Sequence, residues 1–270
     1  MLICDGLIHN SREGSEDMLT EKRRNAILEV IRSEGSVSVK DLSHRFSKSE
    51  VTIRQDLNDL KALGLIRRAH GGALPVVEVA VESPILERSK ICREEKQRIG
   101  IAAAAMIKDG ETIVLDSGTT TQEIARNIRT RQGLRVVTNG VNIAIELAGV
   151  RGIQIIMLGG VLREDSFSIV GHVAEEMLTE FAADKLFFGA AGCDPSFGPS
   201  TPTIEEARVN QAMARIARQR ILVADSSKFE KRTLCRIIPL ANVQTVITDT
   251  NLRESLQTEL RDSGVELILV

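Results

Sequence analysis

At 270 residues, with 43% hydrophobic and 27% charged side chains, the chain exceeds a usual single domain and suits one large or two unequal globular domains. Aromatic residues make up only 3%, with no Trp and no Tyr, which excludes the stacking platforms of single-strand nucleic-acid binders and demands an aliphatic core. The net charge of −2 is unevenly spread: eleven Lys and Arg against seven Asp and Glu between Met18 and Val76 leave about +4 there and about −6 elsewhere, an asymmetry that points to a polyanionic partner.

Residues 1–19 carry no periodicity and read as a tail. Thr20 is a good N-cap for a first helix, with Ile27, Leu28 and Ile31 at helical spacing and Gly35 ending the run. Ser38 with Asp41 opens a second helix carrying Leu42 and Phe46. A third begins near Ser47 or Ser49 and runs along Ile53, Leu57 and Leu60 to Gly64. Leu65–Arg68 then reads as a strand, Gly71-Gly72 as a turn, and Ala73–Pro75 as the return. Three short helices and a hairpin over 20–76 predict a winged helix-turn-helix.

The pattern weakens over 77–94, which reads as a linker around Pro84. From 95 to 270 it alternates. Helices are predicted at Lys96–Ile107, Thr121–Ile128, Val141–Leu147, Val173–Phe181, Ile204–Arg218 and Leu252–Leu260. Strands are predicted at Thr112–Leu115, Leu134–Val137, Ile153–Leu158, Leu186–Phe188, Ile221–Val223, Val243–Ile247 and Val265–Val270. Strands alternating with helices of this length imply a parallel sheet in a layered α/β domain.

Cys4, Cys92, Cys193 and Cys235 are scattered without a CxxC pair, so neither a metal cage nor a disulfide framework is expected. No apolar run reaches the roughly 20 residues of a membrane helix, and Met1–Asp5 does not open a signal peptide. A soluble cytoplasmic protein without membrane, metal or cofactor is expected.

Candidate chemistry falls in two places. The start of the third helix offers Lys48, Ser49, Glu50, Val51, Thr52, Arg54 and Gln55 to a major groove, while Arg67, Arg68 and His70 sit on the wing, within reach of phosphate or the minor groove. Arg54 is equally placed to pair with Glu50 at i, i+4. In the second half, Asp116-Ser117-Gly118-Thr119-Thr120-Thr121 turns from a strand into a helix, where hydroxyls and free amides suit a phosphate. Asn139, Gly159, Gly160, Arg163, Asp194, Glu206 and Lys228 follow other predicted strands, and ligands of open α/β sheets bind at such carboxyl ends. Small residues with one amide or ionisable group at each end favour a polyhydroxylated anion.

The run Phe46-Ser-Lys-Ser-Glu-Val-Thr-Ile-Arg-Gln-Asp-Leu57, followed by Leu63-Gly-Leu-Ile-Arg-Arg-Ala-His-Gly-Gly-Ala73, resembles the DNA-binding signature of the DeoR family of bacterial sugar-metabolism repressors. Lys48 stands where that pattern has an apolar residue, and Gln55 where it has a second Arg. Glu95-Lys96, Leu115-Asp-Ser-Gly-Thr-Thr120, Val137-Thr-Asn-Gly140, Leu158-Gly-Gly160 and Asp225-Ser-Ser-Lys-Phe229 are similar to the family's sensor domain in order and spacing. The resemblance implies a sensor fold related to ribose-5-phosphate isomerase. It also implies double-stranded operator DNA and a phosphorylated sugar effector as partners, with Ser117–Thr120 around the phosphate. Ser200-Thr201, Glu206-Ala-Arg208 and Asn210 resemble the amino-sugar, galactosamine-type branch. Paired operator half-sites imply a homo-oligomer, at least a dimer. The alternative is a sugar-phosphate isomerase or deaminase with an appended DNA-binding domain. Against it, where the isomerases carry an acidic cluster, Gly189–Asp194 offers only Asp194.

Overall fold

The computed structural model describes residues 20, 22–31, 37–62, 65–69, 71–75 and 84–270. The chain divides into two compact units, Met1–Glu78 and Val79–Val270.

In the first unit a helix over 22–31 (α1) is followed by β1 (Val37–Ser38), α2 (Val39–Phe46), α3 (Glu50–Ala62), β2 (Ile66–Ala69) and β3 (Gly72–Pro75). The apolar stripes read from sequence meet in one core of Ile27, Ile31, Val39, Leu42, Ile53, Leu57 and Leu60. Thr20, expected as a cap, is already helical. Ser47 is not the cap of α3: its φ of 50° ends α2 in the left-handed region, and Ser49 Oγ accepts from Thr52 N at 3.2 Å instead. The wing is a three-stranded antiparallel sheet in the order β1-β3-β2, with Val37 opposite Ala73 and Arg68 opposite Ala73 from the other side.

The two wing glycines have separate reasons. Gly71 takes φ +78°, while a Cβ on Gly72 would lie 2.1 Å from the Val37 carbonyl oxygen. Gly72→Ala is therefore expected to push β1 off β3 and to cost about 1–3 kcal/mol. Thermal unfolding checks this; an unchanged midpoint would contradict the packing.

The second unit is built on seven parallel strands: β4 (Thr112–Leu115), β5 (Leu134–Thr138), β6 (Ile153–Met157), β9 (Ala183–Phe188), β12 (Ala217–Val223), β14 (Thr245–Thr248) and β15 (Glu266–Leu269). Two short strands, β7 (Val161–Arg163) and β8 (Ser168–Val170), form a hairpin, and β10 (Gly192–Asp194), β11 (Gly198–Thr201) and β13 (Cys235–Arg236) form a small antiparallel sheet. None of these five was expected; runs of two to four residues carry too little alternation to read.

Successive residues of the long strands face opposite layers. Ile113, Leu115, Phe187, Ile221 and Val223 pack with α5 (Arg93–Ala105), α6 (Thr119–Asn127) and α7 (Val141–Leu147). Val114, Leu186, Phe188, Leu222 and Val246 pack with α8 (His172–Leu178), α9 (Ile204–Ile216) and α10 (Glu254–Asp262). Burial on both faces explains why these strands read as nearly continuous apolar runs. The expected linker holds structure at its end: α4 (Ile85–Arg88) buries Ile85, whose amide donates to the Asp165 carbonyl at 2.7 Å.

The strand order is β15-β14-β12-β9-β4-β5-β6. From β4 the chain builds outward through β5 and β6, then returns to β9 and builds the other way. The reversal lies between β4 and β9. Chains leaving neighbouring strands in opposite directions open a crevice at the carboxyl ends there, the place where such sheets take ligands.

Candidate functional site

On the first unit, α3 turns Ile53, Asp56, Leu57 and Leu60 inward and leaves Glu50, Val51, Arg54, Gln55, Asn58 and Lys61 in solvent. Lys48 and Ser49 are also exposed. Lys48 is tolerated where the family pattern is apolar because backbone holds the turn: Lys48 N donates to Ser43 O at 3.1 Å, and Ser43 Oγ donates to Lys48 O at 2.6 Å. Arg54 does pair with Glu50 at 3.0 Å, and Gln55 Nε2 donates to Asp59 at 3.0 Å. Val51 is 76% exposed, an apolar side chain in solvent near the start of the helix. Arg68 is half-buried on β2, the backbone of Arg67 lies in the same strand, and His70 lies outside the described residues.

Two of the basic residues counted toward the positive charge are occupied internally. Arg23 reaches Asp56 through two nitrogens at 2.7 and 3.0 Å, and Arg24 reaches the same carboxylate at 3.1 Å and also Asp59. Asp56 is only 1% exposed. This cluster ties α1 to α3, and hydrogen bonding to Asp56 holds the Arg23 guanidinium further above its ordinary pKa.

On the second unit, a cavity of about 60 Å³ opens at the reversal point. Asp116 and Ser117–Thr121 line it after β4, Gly189–Ala191 after β9, and Asp225 and Lys228 after β12. Arg88 from α4 and Lys96 from α5 complete it, with Thr201, Glu206 and Asn210. The amides at the start of α6 have no intrahelical acceptor, so the loop presents donors to the cavity. Gly118 has an extended backbone; its missing side chain matters for space, since a Cβ would lie 3.0 Å from Thr121 Oγ1.

Each cavity carboxylate has a distinct state. Glu206 is saturated: Arg163 reaches Oε1 at 2.8 Å, where Ser168 also donates, and Thr201 Oγ1 donates to Oε2 at 2.7 Å. Asp225 accepts from the Ser227 amide at 3.1 Å and from its hydroxyl. Asp116 accepts from Gly189 N at 2.9 Å through one oxygen, joining the ends of β4 and β9, while its buried Oδ1 has no partner. Burial pushes this carboxyl up to about 7, Glu206 adds to the rise, and the Gly189 amide, Thr121 and Arg88 oppose it.

Several residues expected at the cavity serve it from behind or lie elsewhere. Asn139 does not line it; its Oδ1 accepts from Ser117 N at 3.0 Å and its Nδ2 donates to Ile169 O at 3.3 Å, fixing the loop. Arg163 acts through Glu206. Gly159 and Gly160 are outside: Gly160 takes φ +143°, and a Cβ there would meet the Val170 carbonyl oxygen at 2.5 Å, so it serves the hairpin. Asp194 is also outside, bound to Arg232 at 2.8 Å and to the Ser196 and Phe197 amides of its own turn. Arg88 and Lys96 were missed. The signal for Lys96 was its place on a buried stripe with Ile99, Gly100 and Ala103; its Nζ donates to the carbonyls of Arg88 and Ile91 at 2.6 and 2.7 Å, and burial lowers its pKa. Among the described residues no cluster could hold a metal ion, and no helix is long and apolar enough to cross a membrane.

Residues 23–77 match the family model for a DeoR-like helix-turn-helix domain, and residues 91–250 match that for the DeoR C-terminal sensor domain. A protein of Escherichia coli O157:H7 named for transcriptional repression of the aga operon is 40% identical over 93% of this chain and 94% of its own length. The chain belongs to the DeoR family. The glycerol-3-phosphate regulon repressor of Escherichia coli K12 is 34% identical over 93% of this chain and 100% of its own. A DeoR helix-turn-helix on a chain matched over 93% of its length by named repressors makes this a DNA-binding transcriptional regulator, and the enzyme alternative falls. Ribose-5-phosphate isomerase from Methanocaldococcus jannaschii matches 52% of this chain and 56% of its own at 16% identity and a TM-score of 0.40, too distant to inform the site.

Proposed function

We propose that the chain represses a carbohydrate catabolic operon and is released or modulated by a phosphorylated sugar bound at the reversal point of its sheet. The observation that carries this is the cavity itself, where the 117–120 loop and the cations Arg88, Lys96 and Lys228 surround a space at the carboxyl ends of β4, β9 and β12. Ser117, Gly118, Thr119 and Thr120 take the phosphate, with Thr121, Asp116, Glu206 and Lys228 around the sugar. Asn139 and Arg163 position them. The likeness to the aga operon relative, with Glu206 and Asn210 both at the cavity, supports an amino-sugar operon.

On DNA, Lys48, Ser49, Glu50, Thr52, Arg54 and Gln55 enter the major groove with α3, and Val51 meets a thymine methyl. Arg67, Arg68 and His70 meet the backbone or minor groove from the wing. At least a dimer reads paired half-sites, in the cytoplasm. A ligand that favours one of two arrangements of such an assembly shifts its grip on the operator.

Selection from a random duplex pool tests both halves. A defined site is expected, with log affinity falling against log salt by about 0.9 per phosphate neutralised. The phosphosugar that raises the melting temperature of the full chain is expected to change that affinity. Failure to enrich any duplex, or operator affinity indifferent to every stabilising phosphosugar, overturns the reading.

A further inference from the structure

The cavity at the reversal point, about 60 Å³, holds about four to six water molecules at roughly 10–15 Å³ of such space each. A phosphate fits with the part of the sugar that bears it; a second charged group at the sugar's far end does not. Sites for whole ligands run to about 300–1,000 Å³. A second cavity of about 320 Å³ shares Lys96 and Thr119 with the first. One wall is the turn after α4 and the first residue of α5, with Ser89, Lys90 and Arg93, and the other is α6, with Gln122, Glu123 and Arg126.

The charges on these walls are unevenly committed. Arg126 pairs with Glu123, the lining's one carboxylate, and with Glu146. Lys96 is held by two carbonyls. Lys90 and Arg93 are exposed and make no ion pair among the described residues, so the larger cavity keeps two uncommitted cations on one wall.

We infer that this larger cavity is a second anion subsite and that the effector is a sugar bearing two anionic groups, one under the amides of α6 and the other at Lys90 and Arg93. The inference rests on the phosphosugar reading above and extends it. Two anionic groups on one ligand bind with the second attachment intramolecular, so modest subsites combine into a large gain. Lys90 lies in the turn after α4 and Arg93 opens α5, which packs along α6, so a bridging ligand ties that turn to the start of α6.

Titration calorimetry on the full chain tests this with matched pairs: fructose 6-phosphate and 1,6-bisphosphate, tagatose 6-phosphate and 1,6-bisphosphate, and glucose 6-phosphate and 1,6-bisphosphate. In the series that binds, the bisphosphate is expected to bind at least tenfold more tightly. In the Lys90→Gln, Arg93→Gln double variant, the gap shrinks below threefold while monophosphate affinity stays within twofold of the parent. Both side chains are exposed, so the fold is not at stake. Equal affinity within every pair, or a gap that survives the double substitution, overturns the second subsite alone. If no member of any pair binds, the doubly anionic sugar is rejected, and the phosphosugar reading stands or falls on the melting-temperature screen above.

Discussion

Replacing Asp56 with alanine is expected to destabilise the helix-turn-helix unit by about 3 kcal/mol and to weaken operator binding without touching α3's exposed face. Removing the carboxylate leaves Arg23 and Arg24 facing each other beside an apolar core, with side chains 16% and 30% exposed. Their partial access to water keeps the cost at the lower end for a broken buried pair. A unit this small has only several kcal/mol in total, so most of its margin is lost and its unfolded fraction rises by about two orders of magnitude. Asp56→Asn keeps an acceptor for one guanidinium and should fall between parent and alanine. Replacing Arg23, Arg24 and Asp56 together with apolar residues should recover part of the stability, because the desolvation cost goes with the charges. Circular dichroism melts and duplex binding read the series. An Asp56→Ala chain that holds operator as the parent does would show that α3 is fixed by its apolar stripe alone.

The same residue shows where reading the sequence stops. Ile53, Leu57 and Leu60 identified the buried face of α3, and Asp56 lies on it one residue before Leu57. An acid on an apolar stripe signals a buried partner, yet the spacing cannot say that the partner is an arginine more than thirty positions earlier. Lys96 on the stripe of α5 is the same case, its partners being carbonyls of a turn that sequence treats as linker. The layered α/β class was legible because long strands buried on both faces are continuous apolar runs, and the 116–121 loop because a strand, a short polar turn and a helix follow in order.

Which polar turns share a crevice depends on strand order, which local sequence does not carry. Only the turns after β4, β9 and β12 flank the reversal. Asp194 and Gly160 stand beside antiparallel hairpins invisible to a helix-strand alternation. Their chemistry is spent on turn geometry.

Asp116→Asn is expected to stabilise the sensor unit above neutral pH and to do little in acid. In the folded chain this carboxyl keeps its proton up to about 7, against an ordinary 3.8, because it is buried and Glu206 lies nearby. Between those values the folded state binds more protons than the unfolded chain, so stability falls as pH rises through that window. At about 1.4 kcal/mol per unit the charged form costs up to about 4 kcal/mol by pH 8. Asparagine preserves an acceptor for the Gly189 amide and carries no charge, so that cost disappears. The melting temperature of the variant should exceed the parent's by roughly 10 °C at pH 8 for a unit of this size, and match it near pH 4. Arg88 opposes the shift and Glu206 reinforces it, so Glu206→Gln should narrow the difference at pH 8. A phosphate on the neighbouring loop further disfavours the carboxylate, so phosphosugar binding by the parent at pH 8 should take up a proton that the variant does not. Calorimetry in two buffers of different ionisation enthalpy reads that proton directly. A parent-to-variant difference that stays constant from pH 4 to pH 8 would mean that Asp116 is already ionised at the low end, with its open oxygen served by a group from outside the chain.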